Sequence, residues 1–159
     1  MMDSNVRIGA VVVIALIGVG LTAQYFLSGS LAQPFSEVGI LGPNGQFSGY
    51  PSTMTAGQNY TLNLYVSNQE GHSMMYQVYE KLGSKTSVIN QTTPLSSNPV
   101  ATYRFVLPNN GTEISPITVN IATPGLNIRI VWELWDFVPA TNSWEYEGSW
   151  AQIFVNATV

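Results

Sequence analysis

The chain has 159 residues, of which 45% are hydrophobic and only 9% are charged, with nine acidic residues against five basic ones. Cysteine is absent, which excludes disulfide scaffolds, thiolate nucleophiles, blue-copper centres, iron–sulfur clusters and cysteine zinc sites. The basic residues are scattered and form no patch for a run of phosphates, so we expect no nucleic-acid partner: they are Arg7, Lys81, Lys85, Arg104 and Arg129.

An uncharged apolar run, residues 8–27, follows a short N-terminal segment, residues 1–7. A helix of this length, at about 1.5 Å per residue, spans about 30 Å, which is the thickness of the hydrocarbon core of a bilayer. Arg7 precedes the run and no Lys or Arg follows until Lys81, so the positive-inside bias places residues 1–7 in the cytoplasm. We therefore expect a single-pass protein of the cell membrane that contacts the lipid bilayer through residues 8–27 and has an extracellular C-terminal domain.

A cleaved signal peptide is the alternative for this segment, with Ser30-Leu31-Ala32 as a small-x-small site before Gln33. The apolar run is longer than the roughly 7–15 residues of a signal h-region, which favours an uncleaved anchor. Both interpretations export the rest of the chain.

Beyond a linker at residues 28–34, turn signals recur at short intervals and separate segments in which apolar and polar residues alternate. Alternation over such lengths, with β-branched and aromatic residues, is typical of half-buried strands. We predict strands at 35–41, 59–67, 74–82, 86–91, 101–107, 116–122, 126–137 and 144–156. Their number and spacing predict a mainly β protein: an immunoglobulin-like antiparallel β-sandwich at residues 35–159, preceded by one transmembrane α-helix.

Two segments define the predicted buried faces most clearly. The first has one apolar face, formed by Tyr60, Leu62, Leu64 and Val66. The second has an apolar face formed by Leu126, Ile128, Ile130, Trp132 and Leu134, opposed by Asn127, Arg129 and Glu133. Period-two alternation predicts that the first-named face of each strand lies in the core.

The stretch GHSMMY contains the only histidine, His72, followed by Met74 and Met75. Imidazole and thioether groups suit copper(I). Adjacent residues of a strand point to opposite faces, however, so the two methionines do not converge on one ion without a bulge. We therefore favour a turn that leads into a strand with Met74, Tyr76 and Val78 on its buried face. Copper(I) binding is a weaker alternative, and we predict no cofactor and no metal site.

Carboxylates and tryptophans crowd the last quarter of the chain. Glu145 and Glu147 share a strand face near Glu133 and Asp136, so a glycosidase-like pair is conceivable, but solvated edge charges explain the same residues. The tryptophans, exposed together, would make a sugar-binding platform, or they would form core: Trp132, Trp135, Trp144 and Trp150. We assign Trp132 to the core and leave Trp135 open. No nucleophile elbow, phosphate loop or second histidine is present, so we predict no enzyme, with a glycan-binding or hydrolytic surface domain as the alternative.

Four sequons match the N-x-[ST] pattern without proline at the middle position, and all lie on the predicted extracellular side. Each would accept a glycan in a host that glycosylates exported proteins. The candidate N-glycosylation sites are Asn59, Asn90, Asn110 and Asn156.

The stretch from residue 35 to residue 71 resembles an archaeal family of membrane-anchored domains, the domain of unknown function 1616. The resemblance rests on Phe35-Ser36-Glu37, Leu41 to Gly45, Tyr50-Pro51, Gly57 to Thr61 and Asn68-Gln69-Glu70, and on a closing hairpin that begins at Trp132. It implies an immunoglobulin-like exported domain in an archaeal envelope and supplies no catalytic residue. Many members resemble multi-helix membrane proteins, whereas this chain has one apolar run. The predicted anchor, a β-domain with exposed edge strands and the lack of a recognisable catalytic set lead us to expect an interaction or structural accessory module, with an envelope or membrane-complex protein as partner.

Overall fold

The computed structural model describes residues 33–159. The predicted membrane helix at 8–27, residues 1–7 and nearly all of the linker lie outside the described residues. Within the described range, no helix is long and apolar enough to cross a bilayer. Residues 34–159 form one compact unit of eight strands: β1 (Ser36–Leu41), β2 (Thr53–Thr55), β3 (Asn59–Asn68), β4 (Met74–Gly83), β5 (Pro99–Leu107), β6 (Thr112–Asn120), β7 (Gly125–Val138) and β8 (Ser143–Thr158).

The strands form two sheets. One has three strands in the order β1-β3-β6, and the other has five in the order β2-β8-β7-β4-β5. Splitting consecutive strands between two sheets in this way is the arrangement of immunoglobulin-like sandwiches. The prediction of a mainly β, immunoglobulin-like sandwich is therefore confirmed. Its antiparallel character has one exception, because the short β2 pairs with β8 in parallel.

The core lies between the sheets and is built by alternation along each strand. Leu62, Leu64 and Val66 of β3 are fully buried, as are Ile130, Trp132 and Leu134 of β7. These predicted faces are confirmed, and Trp132 is a core residue. Leu126 is the exception, with 77% of its surface exposed. The register of β7 against β8 shifts between Gly125 and Ile128, and Asn127 has a positive φ of 52°, so alternation does not extend to Leu126.

Two differences from the predicted strands concern short segments. The prediction missed β2, which has three residues and too little sequence for a periodic signal. The strand predicted at 86–91 is wrong: residues 84–98, which join β4 to β5, have no strand and only one isolated bridge, Asn90 with Thr93. We call residues 84–98 the cover segment, because they lie across the outer face of the five-stranded sheet.

Candidate functional site

Polar anchors fix the cover segment to the outer face of the five-stranded sheet. The Lys81 ammonium donates to the carbonyl of Leu95 over 2.7 Å and lies 2.9 Å from a carboxylate oxygen of Glu133. The other oxygen of Glu133 accepts the backbone N–H of Leu95. A guanidinium nitrogen of Arg129 donates to the carbonyl of Ser87 over 2.7 Å. The segment therefore closes over an ion pair that alternation alone would expose.

Glu133 is consequently a buried structural residue. Its side chain has no exposed surface, and that of Lys81 is 8% exposed. The sequence-based interpretation of Glu133 as a solvated edge charge is thus wrong, because that interpretation took the outer face to be open to water. The Lys81–Glu133 pair is the only ion pair among residues 33–159. Its carboxylate is fully engaged with Lys81, Leu95 and the indole of Trp135, so it is not available to a substrate.

Glu80 is a second buried carboxyl that the sequence analysis missed. It lies on the core face of β4, the face of Tyr76 and Val78, and is 2% exposed. The Tyr103 hydroxyl donates to it over 3.0 Å and the Trp132 indole over 3.1 Å. Burial raises its pKa, and these two hydrogen bonds partly oppose the rise. Extending the alternation of β4 by one position is the signal that would have found it.

An apolar depression of about 330 Å³ opens on the outer side of the five-stranded sheet, at the end of the sandwich where β4 begins. Met75 of β4 and Val106 of β5 are cross-strand neighbours, with 43% and 68% of their surfaces exposed. The complete lining is His72, Ser73, Met74, Met75, Val106, Phe137 and Pro139. Local sequence pattern does not distinguish Val106 or Phe137, because the strand order β7-β4-β5 is what brings these two side chains close together.

His72 and the two methionines all contribute atoms to this depression, but they differ in surroundings. Met74 packs against the core, whereas Met75 is exposed on the opposite side of the strand. His72 is exposed, and its Nδ1 lies 3.0 Å from the carbonyl oxygen of Glu70. Within residues 33–159, no three His, Asp or Glu side chains are grouped to hold a metal ion. The prediction of a turn that leads into a strand at this point is confirmed.

Aromatic rings extend from the depression along β7 and β8. Phe137 and Trp144 lie 5.4 Å apart with their planes inclined by 62°. Trp135, the tryptophan that the sequence left open, lies on the outer face between Tyr79 and Tyr146, at 5.4 Å and 5.6 Å, with inclinations of 77° and 46°. Rings tilted in this way pack against one another and share no common plane. They therefore form no single flat surface.

Carboxylates gather at the same end of the sandwich, on the inner side of the sheet. Asp136 is the cross-strand partner of both Tyr76 and Glu145. Glu70, in the β3–β4 loop, accepts a hydrogen bond of 2.7 Å from the hydroxyl of Ser36, which also lies 2.8 Å from the hydroxyl of Tyr76. We call Glu70, Asp136, Glu145 and Glu147 the acidic cluster.

The pKa values of this cluster are raised first by burial and then by the neighbouring like charges. Burial raises the pKa of Glu147 to about 7, and the carboxylates of Asp136 and Glu70 add to the rise. Burial likewise raises the pKa of Asp136, with further contributions from Glu145 and Glu70. Burial also raises the pKa of the Tyr76 hydroxyl to about 12, and the neighbouring carboxylates reinforce the effect.

The free edges of the two sheets differ in how accessible they are to another chain. The edge strand β6 has Pro116 at its centre, β2 has three residues and β1 has six. Strand β5 has nine residues, a proline only at its first position, and the exposed apolar side chains Val100 and Val106. Its one cation, Arg104, donates to the side chain of Gln77 on β4 over 3.2 Å. Proline and short length protect the other edges, so β5 is the least protected one in the described part of the chain.

The four sequon asparagines occupy different settings, and their modification stays a prediction. Asn59, Asn90 and Asn110 are exposed, at the start of β3, in the cover segment and in the β5–β6 turn. Asn156 is partly buried within β8, and its side-chain oxygen accepts the backbone N–H of Asn127 over 2.9 Å. Asn156 is therefore the least accessible of the four.

A comparison with protein-family models identifies one family. The model of a family described as "Domain of unknown function (DUF1616)" matches residues 30–150. None of the curated protein sequences matches the chain at a significant level.

Several solved structures share the general sandwich architecture. The CARDB domain of the Pyrococcus furiosus protein PF1109, solved with di-metal ions, has a TM-score of 0.49 at 12% identity, over 80% of this chain and 90% of that one. The Bacillus subtilis sporulation control protein Spo0M has a TM-score of 0.46 at 6% identity, over 79% and 50%. A PapD-like domain of human CEP192 has a TM-score of 0.40 at 11% identity, over 78% and 87%. Likenesses this distant do not bear on function.

Proposed function

The chain belongs to the DUF1616 family, a domain of unknown function, and from this premise we propose that it is a non-catalytic interaction module of the cell envelope. An anchor at residues 8–27 holds the sandwich outside the membrane. There, a protein partner adds an extended segment to the edge of β5 and covers the neighbouring depression. The chain acts by contact, as an accessory or structural subunit of a larger assembly.

The single observation that supports this proposal best is the exposed edge of β5. A strand edge presents unpaired backbone N–H and C=O groups, and it is a template for an added strand unless proline, charge or short length blocks it. Strand β5 has nine residues and none of these protections apart from Arg104 and its first proline. The apolar depression begins at Val106 of the same strand. An added strand would therefore gain backbone hydrogen bonds and an apolar contact together.

The buried carboxyls support a role without catalysis. Glu133 is engaged by Lys81 and a backbone N–H, and Glu80 by Tyr103 and Trp132, with no opening to a substrate. The glycan-binding alternative has less support, because the aromatic rings on the outer face are tilted against one another.

Affinity capture of the full chain from gently solubilised membranes tests the role of the edge. We expect a stoichiometric protein partner with the unmodified chain and with Val88→Lys, and its loss with Val106→Lys. The two valines have the same exposed fraction, 68%, so the control places the same charge at an equally exposed position in the cover segment. A lone monomer in several mild detergents, or equal recovery with both variants, would contradict the proposal.

The anchor is tested separately, by peptide mass spectrometry of the protein purified from membranes. An uncleaved anchor predicts that Met1 or Met2 is retained, together with intact peptides across residues 8–27. A mature N-terminus at Gln33 would replace the anchored module with a secreted one, and it would leave the proposal for the β5 edge intact.

A further inference from the structure

We infer that the partner segment is a cationic, partly apolar polypeptide, which places an apolar side chain in the depression and Lys or Arg side chains against the acidic cluster. The inference rests on the proposed function, because it specifies the chemistry of the segment that β5 receives. Three features of the described residues support it: the distribution of carboxylates, the distribution of cations, and the closeness of both to the depression.

The carboxylates are strongly segregated. Residues 33–159 contain eight of the nine acidic residues, since only Asp3 precedes them. Two of the eight, Glu80 and Glu133, are buried in the five-stranded sheet. The remaining six lie at one end of the sandwich, where β1, β6 and β8 begin and β3 and β7 end: Glu37, Glu70, Glu113, Asp136, Glu145 and Glu147. Every carboxylate that reaches solvent is therefore at the end that holds the depression.

The basic residues in the described range do not neutralise the negative charge at this end of the sandwich. Lys81 is paired with the buried Glu133. Arg129 lies near the start of β7, at the opposite end of the sandwich, where its guanidinium donates hydrogen bonds to Ser87 and Gln152. Lys85 follows β4 at that opposite end. Arg104 is the nearest, three positions before the end of β5, and donates to Gln77. No ion pair in the described range involves any of these six carboxylates.

The acidic cluster and the depression lie at the same end of the five-stranded sheet, on its inner and outer sides respectively. Phe137, which lines the depression, follows Asp136, and Trp144, whose ring packs on Phe137, precedes Glu145. Consecutive Cα atoms are about 3.8 Å apart. The field of exposed charges extends about 10 Å at 0.1 M salt, so a ligand in the depression lies within its range. A polypeptide that follows β5 to its end at Leu107, and then passes round this end of the sheet toward β7 and β8, would reach both features.

The charge distribution also distinguishes between the possible occupants of the depression. A second copy of this chain would present the same acidic end, and the excess of four negative charges disfavours the approach of like ends. A neutral apolar segment would fit the depression and leave the like charges of the cluster uncompensated. A cationic segment relieves that repulsion, which contributes to the raised pKa values of Asp136 and Glu147 after burial, their largest cause.

A random decapeptide library displayed on phage, selected against the full chain in nanodiscs of neutral lipid, tests the inference. We expect enriched peptides to combine apolar residues with an excess of Lys and Arg over Asp and Glu. Their binding should weaken about fivefold in the double variant Glu145→Gln with Glu147→Gln, the size expected for two solvent-exposed charge contacts. It should also weaken as salt is raised from 0.05 to 0.5 M, an effect that screening requires.

Matched variants make the outcome decisive. Glu113→Gln removes an exposed carboxylate on the three-stranded sheet and should change the affinity less than twofold. Val106→Thr, which keeps the shape and removes a methyl contact, should weaken the peptides, and Val88→Thr should not. Enriched peptides that are neutral or acidic, or that bind the double glutamine variant equally well, would overturn the cationic preference while leaving the edge proposal standing.

Two further outcomes bear on both proposals. Cationic peptides that bind Val106→Thr as tightly as the unmodified chain would show a site away from β5 and would overturn the proposed function. Failure to enrich any peptide, or a dimer of this chain that dissociates with Val106→Lys, would overturn the inference and assign the edge to another occupant.

Discussion

Lys81 and Glu133 show how one buried ion pair organises the outer face of the sheet. The Lys81 ammonium also lies 5.8 Å from the ring centroids of both Tyr79 and Trp135, so its surroundings are aromatic as well as anionic. A charge placed in such a site is stable only with its partner, because desolvation of an unpaired ion costs several kcal/mol. The pair therefore makes the position of the cover segment dependent on two side chains.

Lys81→Met should lower the free energy of unfolding by about 3 kcal/mol, since it leaves the Glu133 carboxylate buried without a counter-ion. Urea unfolding of the full chain in detergent measures the loss. Lys85→Met, which removes the nearby exposed ammonium of the cover segment, should change it by less than about 0.5 kcal/mol. Equal effects of the two substitutions would show that the pair contributes no more than a surface lysine.

Glu147 gives the fold a dependence on pH. Its pKa of about 7 in the folded chain exceeds its ordinary value of 4.5, so the folded protein binds more protons than the unfolded chain between these two values. The free energy of unfolding should therefore fall as pH rises from 4.5 to 7, and the raised pKa values of Asp136 and Glu80 act in the same direction. Glu147 is solvent-accessible, and screening limits the size of its share.

Glu147→Gln should remove the contribution of Glu147 to this fall in the free energy of unfolding. Thermal unfolding at several pH values between 4.5 and 7.5 should give a flatter profile for the variant than for the unmodified chain. Glu113→Gln, which lies on the other sheet, should retain the original slope. Parallel profiles for all three proteins would contradict the raised pKa of Glu147.

Copper(I) titration tests the residues of the depression. Met74 packs against the core and Met75 is exposed on the other face of β4, so we expect no tight stoichiometric binding at these side chains. Competition with a chromogenic cuprous chelator measures any binding, with His72→Ala as the control. Stoichiometric copper that is lost in His72→Ala would replace this expectation with a metal site.

At the level of elements, the bulge in β8 fits the sheet to the cover segment. Glu133 pairs with Trp150 across the strands, and Trp135 pairs with Tyr146. Strand β8 therefore has two more residues than β7 between these two pairs. Gly148 lies in the bulge with a φ of +77°, and a Cβ at this position would lie 2.5 Å from the carbonyl oxygen of Gln91. The Tyr146 hydroxyl donates to the carbonyl of Asn90 over 3.2 Å. Bulge and cover segment are therefore complementary in shape.

Gly148→Ala should destabilise the fold by clearly more than Gly45→Ala. Both glycines have a positive φ, which costs an alanine about 1 kcal/mol, but a Cβ at Gly45 would meet no atom within 4 Å. The difference between the two urea-unfolding free energies measures the clash with Gln91. Equal losses would mean that the cover segment moves aside without cost.

The sequence predicts the strands that obey alternation and misses features that depend on contacts distant in the chain. Leu62, Leu64 and Val66 were placed correctly because period two requires one buried face. Residues 86–91 contain the β-branched Thr86, Val88 and Ile89, and their propensity suggests a strand. Bonds from Arg129, Lys81 and Glu133 hold the segment across the sheet instead. A local pattern contains no information on these partners.

In the candidate site, too, some features follow from local sequence pattern and others depend on contacts distant in the chain. The turn before Met74 and the burial of Trp132 follow from local pattern. The meeting of Met75, Val106 and Phe137 requires the strand order β7-β4-β5, which residue spacing does not give. The burial of Glu133 likewise depends on the cover segment, whose position on the outer face local pattern does not predict.

At the scale of the whole molecule, an asymmetric charge distribution is combined with an open sheet edge. All six carboxylates that are exposed or partly buried lie at the end that contains the depression, and β5 runs toward that end. The cover segment closes the other part of the outer face. We propose that β5, the depression and the acidic cluster together form the surface that receives a partner.

The absence of cysteine allows one measurement in intact cells to test the central claim, that β5 meets a protein partner outside the membrane. Val106→Cys and Val88→Cys, at equally exposed positions, are each treated with a membrane-impermeant thiol reagent. We predict that reagent added to intact cells labels Val88→Cys rapidly and Val106→Cys slowly, because the partner covers β5, and that both positions are labelled at the same rate in the purified chain without its partner. No labelling of Val88→Cys until the membrane is opened would contradict the location, and equal labelling of both positions in intact cells would contradict the edge.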